Sequence, residues 1–482
     1  MTRTVVTGGH LISMDGEYGE LPQGAVLIEG DRIAAVARDS SEFDGVDAQV
    51  IDAQGGFILP GMVDSHRHTW MALLRGISAD QSLMEFLGNV FYGIGSLITA
   101  EDMSAASTVG AIEAIDSGVT TIMDCCDCVN SPDHAIAAVD ALRATGIRHV
   151  YSYGFQCFAF EPAGFASHAE RLKDAERFRS YGWGGLSSMG ILLSDFGTLP
   201  FADSVAEFRL TAELDVLTAS HTAAATSSIL LKGLREFRDH GLLRPGHVHI
   251  HCPALVGDEW QLVADTGGRV TIAPETEMQM GMGIPPIRPA LEHGILPGIS
   301  TDIVAVGSGD LFSQLRLGLQ TQRMLDHDRV HRTGRMPSSV ELTVRDALSW
   351  GTRGSAETLG LGDRIGSLTP GKQADVIIVK PKLGLVPSSH PVGSVVLQST
   401  AADVDTVLIG GVVRKRHGQL VGYDLDAVAA RGQQALSRIR KAAAGLPVLG
   451  PEAVAGWFGQ AERVATQVFG SAYGAEGAPA AL

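Results

Sequence analysis

From about residue 58 the sequence alternates short apolar runs with longer segments of helical periodicity, and this alternation constrains the fold more than any other feature. Each apolar run is long enough for one buried strand, and each intervening segment is long enough for a helical crossover. The eight runs comprise residues 58–65, 119–124, 148–153, 187–193, 215–220, 247–251, 270–273 and 298–301. Eight strand–helix units over about 245 residues predict an α/β chain with a (β/α)8 TIM barrel.

The two ends of the chain show short apolar runs separated by glycine-containing turns. Residues 1–57 and 366–423 share this pattern, and we predict strands in the second segment at 374–379, 395–397, 406–409 and 412–414. Both segments are expected to pair in one small β-sandwich domain beside the barrel of residues 58–365. Residues 424–482 are predicted to form a C-terminal helix and a Gly-, Ala- and Pro-rich tail.

Charge and cysteine content exclude several classes of protein. Thirty-seven basic against 54 acidic residues give a net charge of −17, which argues against a nucleic-acid partner because phosphate binding needs a basic face. No apolar run has the length of a membrane span, and the first residues lack the apolar core of a secretory signal. Five cysteines are too few for a disulfide framework in a chain of this length. A cytoplasmic protein without a membrane partner is therefore expected.

Four histidines and one aspartate lie at the ends of predicted strands. His66 and His68 follow the first strand, and their spacing puts both rings on one face. His221, His251 and Asp302 end the fifth, sixth and eighth strands. Because the carboxyl ends of barrel strands meet at one face, these residues predict a mixed histidine and carboxylate site that suits zinc or iron.

The chain resembles the amidohydrolase superfamily, and within it the group of triazine hydrolases, guanine deaminases and S-adenosylhomocysteine deaminases. The resemblance covers nearly the whole chain. It rests on His66-Arg67-His68, Arg75-Gly76, Gly118-Val119-Thr120-Thr121, His251-Cys252, Ser300-Thr301-Asp302 and Gly371-Lys372-Gln373-Ala374-Asp375.

The resemblance implies that His66, His68, His221 and Asp302 are metal ligands. Asp302 is then expected to move protons between the attacking water and the leaving group, while His251 stabilises the charge that develops on oxygen. Binuclear members of the superfamily use a lysine at the end of the fourth strand. No lysine occurs here between residues 173 and 232, so one divalent ion is expected, zinc before iron.

Two departures from the group concern proton transfer. Deaminases of this group carry a glutamate three residues after the fifth-strand histidine, where this chain has Ala224. After the seventh strand it has Pro274-Glu275-Thr276-Glu277, and we hypothesise that Glu275 or Glu277 donates a proton or binds substrate N–H groups. The alternative is that both are solvated carboxylates.

Further pocket residues are expected after the other strands. The resemblance places Trp70 in the pocket, where it would stack on a flat ring, although a core position is an equal alternative. Gln156 is a predicted substrate contact, and Cys157 and Asp195 are weaker candidates. The Cys125–Cys128 pair lacks a second pair at zinc-site spacing and is interpreted as a loop.

We therefore predict a metal-dependent hydrolase that releases ammonia or an amine from a small nitrogen heterocycle. Hydrolysis of a cyclic amide, or displacement of another group such as halide from an aromatic ring, stays open because of Ala224. A catalytically silent barrel kept for assembly is the remaining alternative. A homodimer or homotetramer is expected from the apolar segment after residue 424.

Overall fold

The computed structural model describes residues 2–225, 228–381 and 388–473, and it contains the predicted barrel. Its eight parallel strands pair in chain order. They are Met62–Arg67, Val119–Cys126, Arg148–Gly154, Ser187–Leu192, Leu217–Thr222, Val248–His251, Arg269–Ile272 and Gly298–Ile299. The backbone of Asp302 closes the ring against the first strand, because its N–H donates to His66 and its carbonyl accepts from His68, both at 3.0 Å. The predicted fold class is confirmed.

Helices follow the strands and cover the outside of the barrel. The described α-helices are Leu83–Phe86, Ala100–Asp116, Pro132–Thr145, His168–Phe178, Phe201–Leu214, Leu234–Asp239, Asp258–Asp265, Pro274–Gln279, Ile287–Glu292, Leu311–His331, Val344–Ser349, Ser355–Thr358, Pro391–Gln398, Leu425–Ala443 and Pro451–Tyr473. Among them, no single helix is long and apolar enough to cross a membrane. One bent pair, Leu83–Leu97 with Ala100–Asp116, meets that criterion by length and composition.

Two further sheets lie outside the barrel, and the larger one combines both ends of the chain. The four-stranded sheet has the order Arg32–Ala37, Ala25–Glu29, Arg3–Thr7, Gln49–Asp52. The seven-stranded sheet has the order Gln419–Leu420, Val412–Arg416, Val404–Ile409, Val376–Val379, Phe57–Pro60, His10–Ile12, Glu20–Leu21. In the second sheet Val376–Val379 pairs with Phe57–Pro60, so the two ends share one layer. The domain limits at residues 57, 365 and 423 stay predictions.

The first predicted barrel strand is divided between two sheets. Phe57–Pro60 belongs to the seven-stranded sheet, and Met62–Arg67 belongs to the barrel. Gly61 lies between them, and a Cβ there would come within 2.2 Å of the Thr120 hydroxyl oxygen. The close approach of the two sheets therefore requires glycine at the point where the chain passes from one to the other.

Two predictions for the C-terminal part are wrong. Residues 395–397 are helical, because Pro391 starts a helix whose Val392, Val395 and Val396 form one buried side. The tail after residue 445 contains a long helix, Pro451–Tyr473. The helix predicted from residue 424 is confirmed as Leu425–Ala443, capped by the Asp424 side chain.

A buried ion pair joins the barrel to the β domain. Arg148, on the third barrel strand, donates from Nε and Nη2 to the two carboxylate oxygens of Asp375, at 2.8 and 3.0 Å. Asp375 also accepts from the backbone N–H of Gly410 at 2.7 Å. Both charged side chains are buried, and each makes at least two hydrogen bonds, which offset the cost of desolvation.

We expect the substitution Asp375→Asn to lower stability by about 3 kcal/mol, because it leaves the Arg148 guanidinium buried without its counter-charge. Glu29→Gln is the matched control, since Glu29 pairs with Arg3 at 2.8 Å on the surface and should contribute less than about 1 kcal/mol. Thermal unfolding midpoints of both variants test this. Equal midpoints would contradict a stabilising role for the buried pair.

Candidate metal centre

The five residues predicted at strand ends converge at the carboxyl end of the barrel. The ring centroid of His66 lies 4.6 Å from that of His68 and 5.4 Å from those of both His221 and His251. Ligand atoms of His66, His221 and His251 lie within 4.8 Å of one another, as do those of His66, His68 and Asp302. His66 thus belongs to two overlapping groups that could each hold a metal ion.

Groups at the end of the second strand contact the Nδ1 atoms of His66 and His68. His66 Nδ1 lies 3.1 Å from the Cys125 sulfur. His68 Nδ1 lies 2.6 Å from a carboxylate oxygen of Asp127 and 2.8 Å from the Cys125 carbonyl oxygen. With Nδ1 occupied in this way, each ring directs Nε2 towards the centre of the site.

The other two histidines are anchored by carboxylates. His221 Nδ1 lies 3.0 Å from Asp195, and His251 Nδ1 lies 3.2 Å from Glu277. Glu277 is fully buried and also accepts from the Ala273 backbone N–H at 2.9 Å. A carboxylate behind a ligating imidazole fixes the tautomer and strengthens the ligand, so the whole set has the arrangement typical of a metal centre.

Charge and burial at the centre also fit a divalent cation. His66 Nε2 is buried and makes no hydrogen bond of acceptable geometry, although Asp302 Oδ1 lies 3.0 Å away. Burial lowers the pKa of His66 to about 3, against the opposing effect of Asp302, so the ring is neutral and can donate a lone pair. Burial alone would raise the pKa of Asp302, but His66, His68 and His251 hold it well below its usual range. Imidazole nitrogens around one buried carboxylate suit zinc or iron.

The backbone is strained at two of the site residues. His251 has φ 74° and Asp302 has φ 56°, both in the left-handed region that residues with a side chain rarely adopt. Each such residue costs about 1–3 kcal/mol and persists only where its surroundings fix it. The hydrogen bonds of the Asp302 backbone to the first strand provide that constraint.

A cavity of about 460 Å³, which includes space open to solvent, lies above the centre. Its floor contains His68, His221, His251 and Asp302, with Asp195 beside them. Its walls are mostly apolar and come from loops after the first, fifth, seventh and eighth strands. The main apolar side chains are Leu83, Phe86, Phe91, Leu231, Met280 and Met282.

Four predicted substrate contacts lie outside the set of residues that line this cavity: Trp70, Gln156, Glu275 and Glu277. Trp70 is buried among aromatic rings and donates from its indole nitrogen to Asp127 at 3.4 Å. Its neighbour Met71 lines the cavity instead. Gln156 accepts from the Asp195 backbone N–H at 3.1 Å and donates to Tyr92 at 2.9 Å, so it supports the floor from behind.

Glu275 also lies away from the cavity. Its carboxylate accepts from the backbone N–H of Ser308 at 2.7 Å and from the Gln314 side chain at 2.6 Å. These contacts brace the loop after the eighth strand. Glu275 and Glu277 are two residues apart on one short helix, yet only Glu277 contacts a site histidine.

The anchoring groups at the end of the second strand were not predicted as site residues. Cys125 and Asp127 lie two residues apart, so alternation along the strand places both on the side of the histidines. That spacing was a usable signal, but the cysteine-rich context obscured it. Nothing in the local pattern indicated that helix Pro451–Tyr473 contacts the pocket loops, where Glu462 accepts from the Ile229 backbone N–H at 3.2 Å.

We expect His66→Ala to reduce bound metal at least about tenfold, because His66 is shared by both ligand groups. The exposed His331, on helix Leu311–His331, provides the control His331→Ala, which should retain the metal of the unmodified chain. Metal content of purified protein, measured by mass spectrometry after zinc loading and dialysis, tests this. Equal loss in both variants would contradict the assignment.

Comparison with known proteins agrees with this geometry. The model of the amidohydrolase family matches residues 57–414. A 5-methylthioadenosine/S-adenosylhomocysteine deaminase from Symbiobacterium thermophilum is 27% identical, over 92% of this chain and 99% of the relative. A 5'-deoxyadenosine deaminase from Methanobrevibacter smithii is also 27% identical, over 91% and 99% of the two chains.

Solved structures show the same fold. A zinc-bound adenosine deaminase from Xanthomonas campestris has a TM-score of 0.80 and 22% identity, over 91% of this chain and 99% of that chain. A zinc complex of atrazine chlorohydrolase from Arthrobacter aurescens has a TM-score of 0.77 and 22% identity, over 90% and 100%. Because the family match spans most of the sequence and the barrel carries the histidines and aspartate at its strand ends, this chain belongs to the amidohydrolase family.

Proposed function

We propose that this protein is a metal-dependent deaminase of a small nitrogen heterocycle. The observation that carries the proposal is the convergence of four anchored imidazoles and Asp302 on the floor of a mostly apolar cavity. Relatives named as deaminases cover almost the whole chain, which supports the same reaction here. In it, the oxygen of water and one of its protons stay on the ring, as a hydroxyl or its carbonyl tautomer. The other proton goes to the leaving nitrogen, which departs as ammonia or an amine.

His66, His68, His221 and Asp302 would hold one divalent ion, with zinc preferred and iron as the alternative. Such an ion lowers the pKa of water towards neutrality and polarises the substrate. The donor set fits, since it combines imidazole nitrogens with one buried carboxylate. His251 would lie beside this set, as its Nε2 is 3.9 Å from Asp302 Oδ2.

Asp302 is the proposed proton carrier. Its Oδ1 lies 3.0 Å from His66 Nε2 and 3.3 Å from His68 Nε2, which leaves Oδ2 directed towards His251. An ionised carboxylate at this position can accept a proton from the attacking water and pass it to the leaving nitrogen.

His251 and Glu277 are proposed to act together. Glu277 at Nδ1 can stabilise a doubly protonated His251 ring, which then donates from Nε2 to the charge that develops on the substrate. Burial raises the pKa of Glu277, against the lowering effect of His251. A proton can therefore be held between the Glu277 carboxylate and His251 Nδ1. Since Ala224 occupies the place of the usual glutamate, this pair is the candidate donor to a ring nitrogen.

The substrate is expected to be a small heterocycle, and the protein is expected to be a cytoplasmic homodimer or homotetramer. Ala224 lines the cavity and offers only a methyl group there. That observation also favours a second candidate function, displacement of halide or opening of a cyclic amide, because halide leaves without a proton and the leaving nitrogen of a cyclic amide can take its proton from Asp302.

We expect zinc-loaded protein to release ammonia from at least one member of a panel of aminopurines, aminopyrimidines and aminotriazines. Asp302→Asn should lower the rate about 100-fold or more, because the proton carrier is lost. A coupled ammonia assay measures both. Chloride release from a chlorotriazine, or opening of a cyclic amide, without ammonia release from the panel would support the second candidate function. Inactivity of metal-loaded protein on all of these compounds would contradict both.

The two glutamates after the seventh strand form a matched pair. Glu277→Gln should lower kcat about 10- to 100-fold on the substrate that the panel identifies, because an amide stabilises the charged His251 ring less well. Glu275→Gln removes the same charge two residues away but should keep kcat within about threefold, because Glu275 braces a loop. Metal content and thermal midpoints of both variants separate catalysis from folding. Equal kcat losses would contradict the assignment.

A further inference from the structure

We infer that the substrate is a heterocycle without an anionic group, whose substituent is apolar and lacks hydroxyl groups. This inference rests on the proposed function, since it concerns what fills the cavity above the same centre. It is independent of which bond breaks, because it concerns the walls of the cavity rather than its floor. It also distinguishes this chain from a deaminase that must bind a sugar.

The polar groups that line the cavity are concentrated on its floor. His68, His221, His251 and Asp302 form the centre, and Asp195 is bonded to His221. Above them, Thr276 supplies the one polar side chain among the described lining residues. Its hydroxyl oxygen is fully buried, so it is not exposed to a ligand in the cavity. A substituent with several hydroxyls would therefore exchange hydrogen bonds to water for contacts with hydrocarbon, which is unfavourable.

The apolar walls supply a favourable environment for a different kind of substituent. Phe86 and Phe91 form one side, and Met71, Met280 and Met282 contribute flexible thioethers elsewhere. Methionine side chains adapt to irregular apolar shapes and are favourable next to aromatic rings. Walls of this kind favour a ring with a short alkyl or aryl group. Among the described lining residues, none is a lysine or an arginine. An anionic substituent therefore has no basic side chain other than histidine to pair with there.

Two pairs of ligands test the inference on zinc-loaded protein. One pair is 9-butyladenine and 9-(2,3-dihydroxypropyl)adenine, and the other carries the same two groups on the amino nitrogen of a triazine. Calorimetry should show that the butyl member of at least one pair binds about tenfold more tightly or better. Equal binding, tighter binding of the diol, or no binding by either butyl compound would overturn the inference.

The same ligands separate this inference from the proposed function. If a butyl compound binds more tightly than its diol but releases no ammonia, the deaminase proposal fails for that ring and the inference stands. If ammonia is released faster from the diol, the deaminase proposal stands and the inference is overturned. Binding and ammonia release are measured on the same preparation, so the two outcomes are distinguishable.

A wall variant provides a second test. Leu231 lines the cavity at φ 62°, a conformation that asparagine tolerates well, so Leu231→Asn adds an amide to the wall with little backbone cost. We expect the preference for butyl over diol to fall about tenfold in this variant. The control Met336→Asn replaces an exposed apolar residue and should leave the preference unchanged. An unchanged preference in Leu231→Asn would contradict the inference.

Discussion

The site depends on the partner that each imidazole has at its Nδ1 atom. Four rings can direct Nε2 to one point only if each Nδ1 has a partner of its own, and the structure supplies Cys125, Asp127, Asp195 and Glu277. These partners come from the ends of the second, fourth and seventh strands and the helix that follows. The ligand geometry is therefore a property of the whole barrel rim, and no short segment could reproduce it.

The positions of the strand ends depend in turn on the hydrogen bonds that join the eighth strand to the first. The side chain of Asp302 is a proposed metal ligand, and its backbone joins the eighth strand to the first. The eighth strand itself is short, Gly298–Ile299, so these two hydrogen bonds contribute much of the closure beside the site. The left-handed backbone at Asp302 turns the chain sharply at this point. Strain at a residue that both closes the sheet and faces the centre is tolerated because neighbouring elements over-determine its position.

The sequence alone was sufficient for the barrel and for the five residues at its centre, because parallel strands bring their carboxyl ends to one face whatever the loops do. It was insufficient wherever a decision depended on distant contacts. Residues 58–65 look like one strand, and only the approach of Thr120 to Gly61 shows why they divide between two sheets. The pair Glu275 and Glu277 could not be separated from the sequence, because their partners lie on different elements. The walls were the least predictable part, since loops from four regions form them.

This division between floor and walls matters for function. The floor supplies polar chemistry in a buried setting, where hydrogen bonds and charges act more strongly than in water. The walls supply hydrocarbon and thioether contacts, which we propose discriminate between substituents without taking part in bond cleavage. Ala224 lines the cavity where the resemblance predicts a glutamate. The methyl group there extends the apolar walls towards the polar floor. A barrel with this floor and a different boundary can therefore act on a different ring, which is why the site's own chemistry, and not the fold, has to decide the substrate.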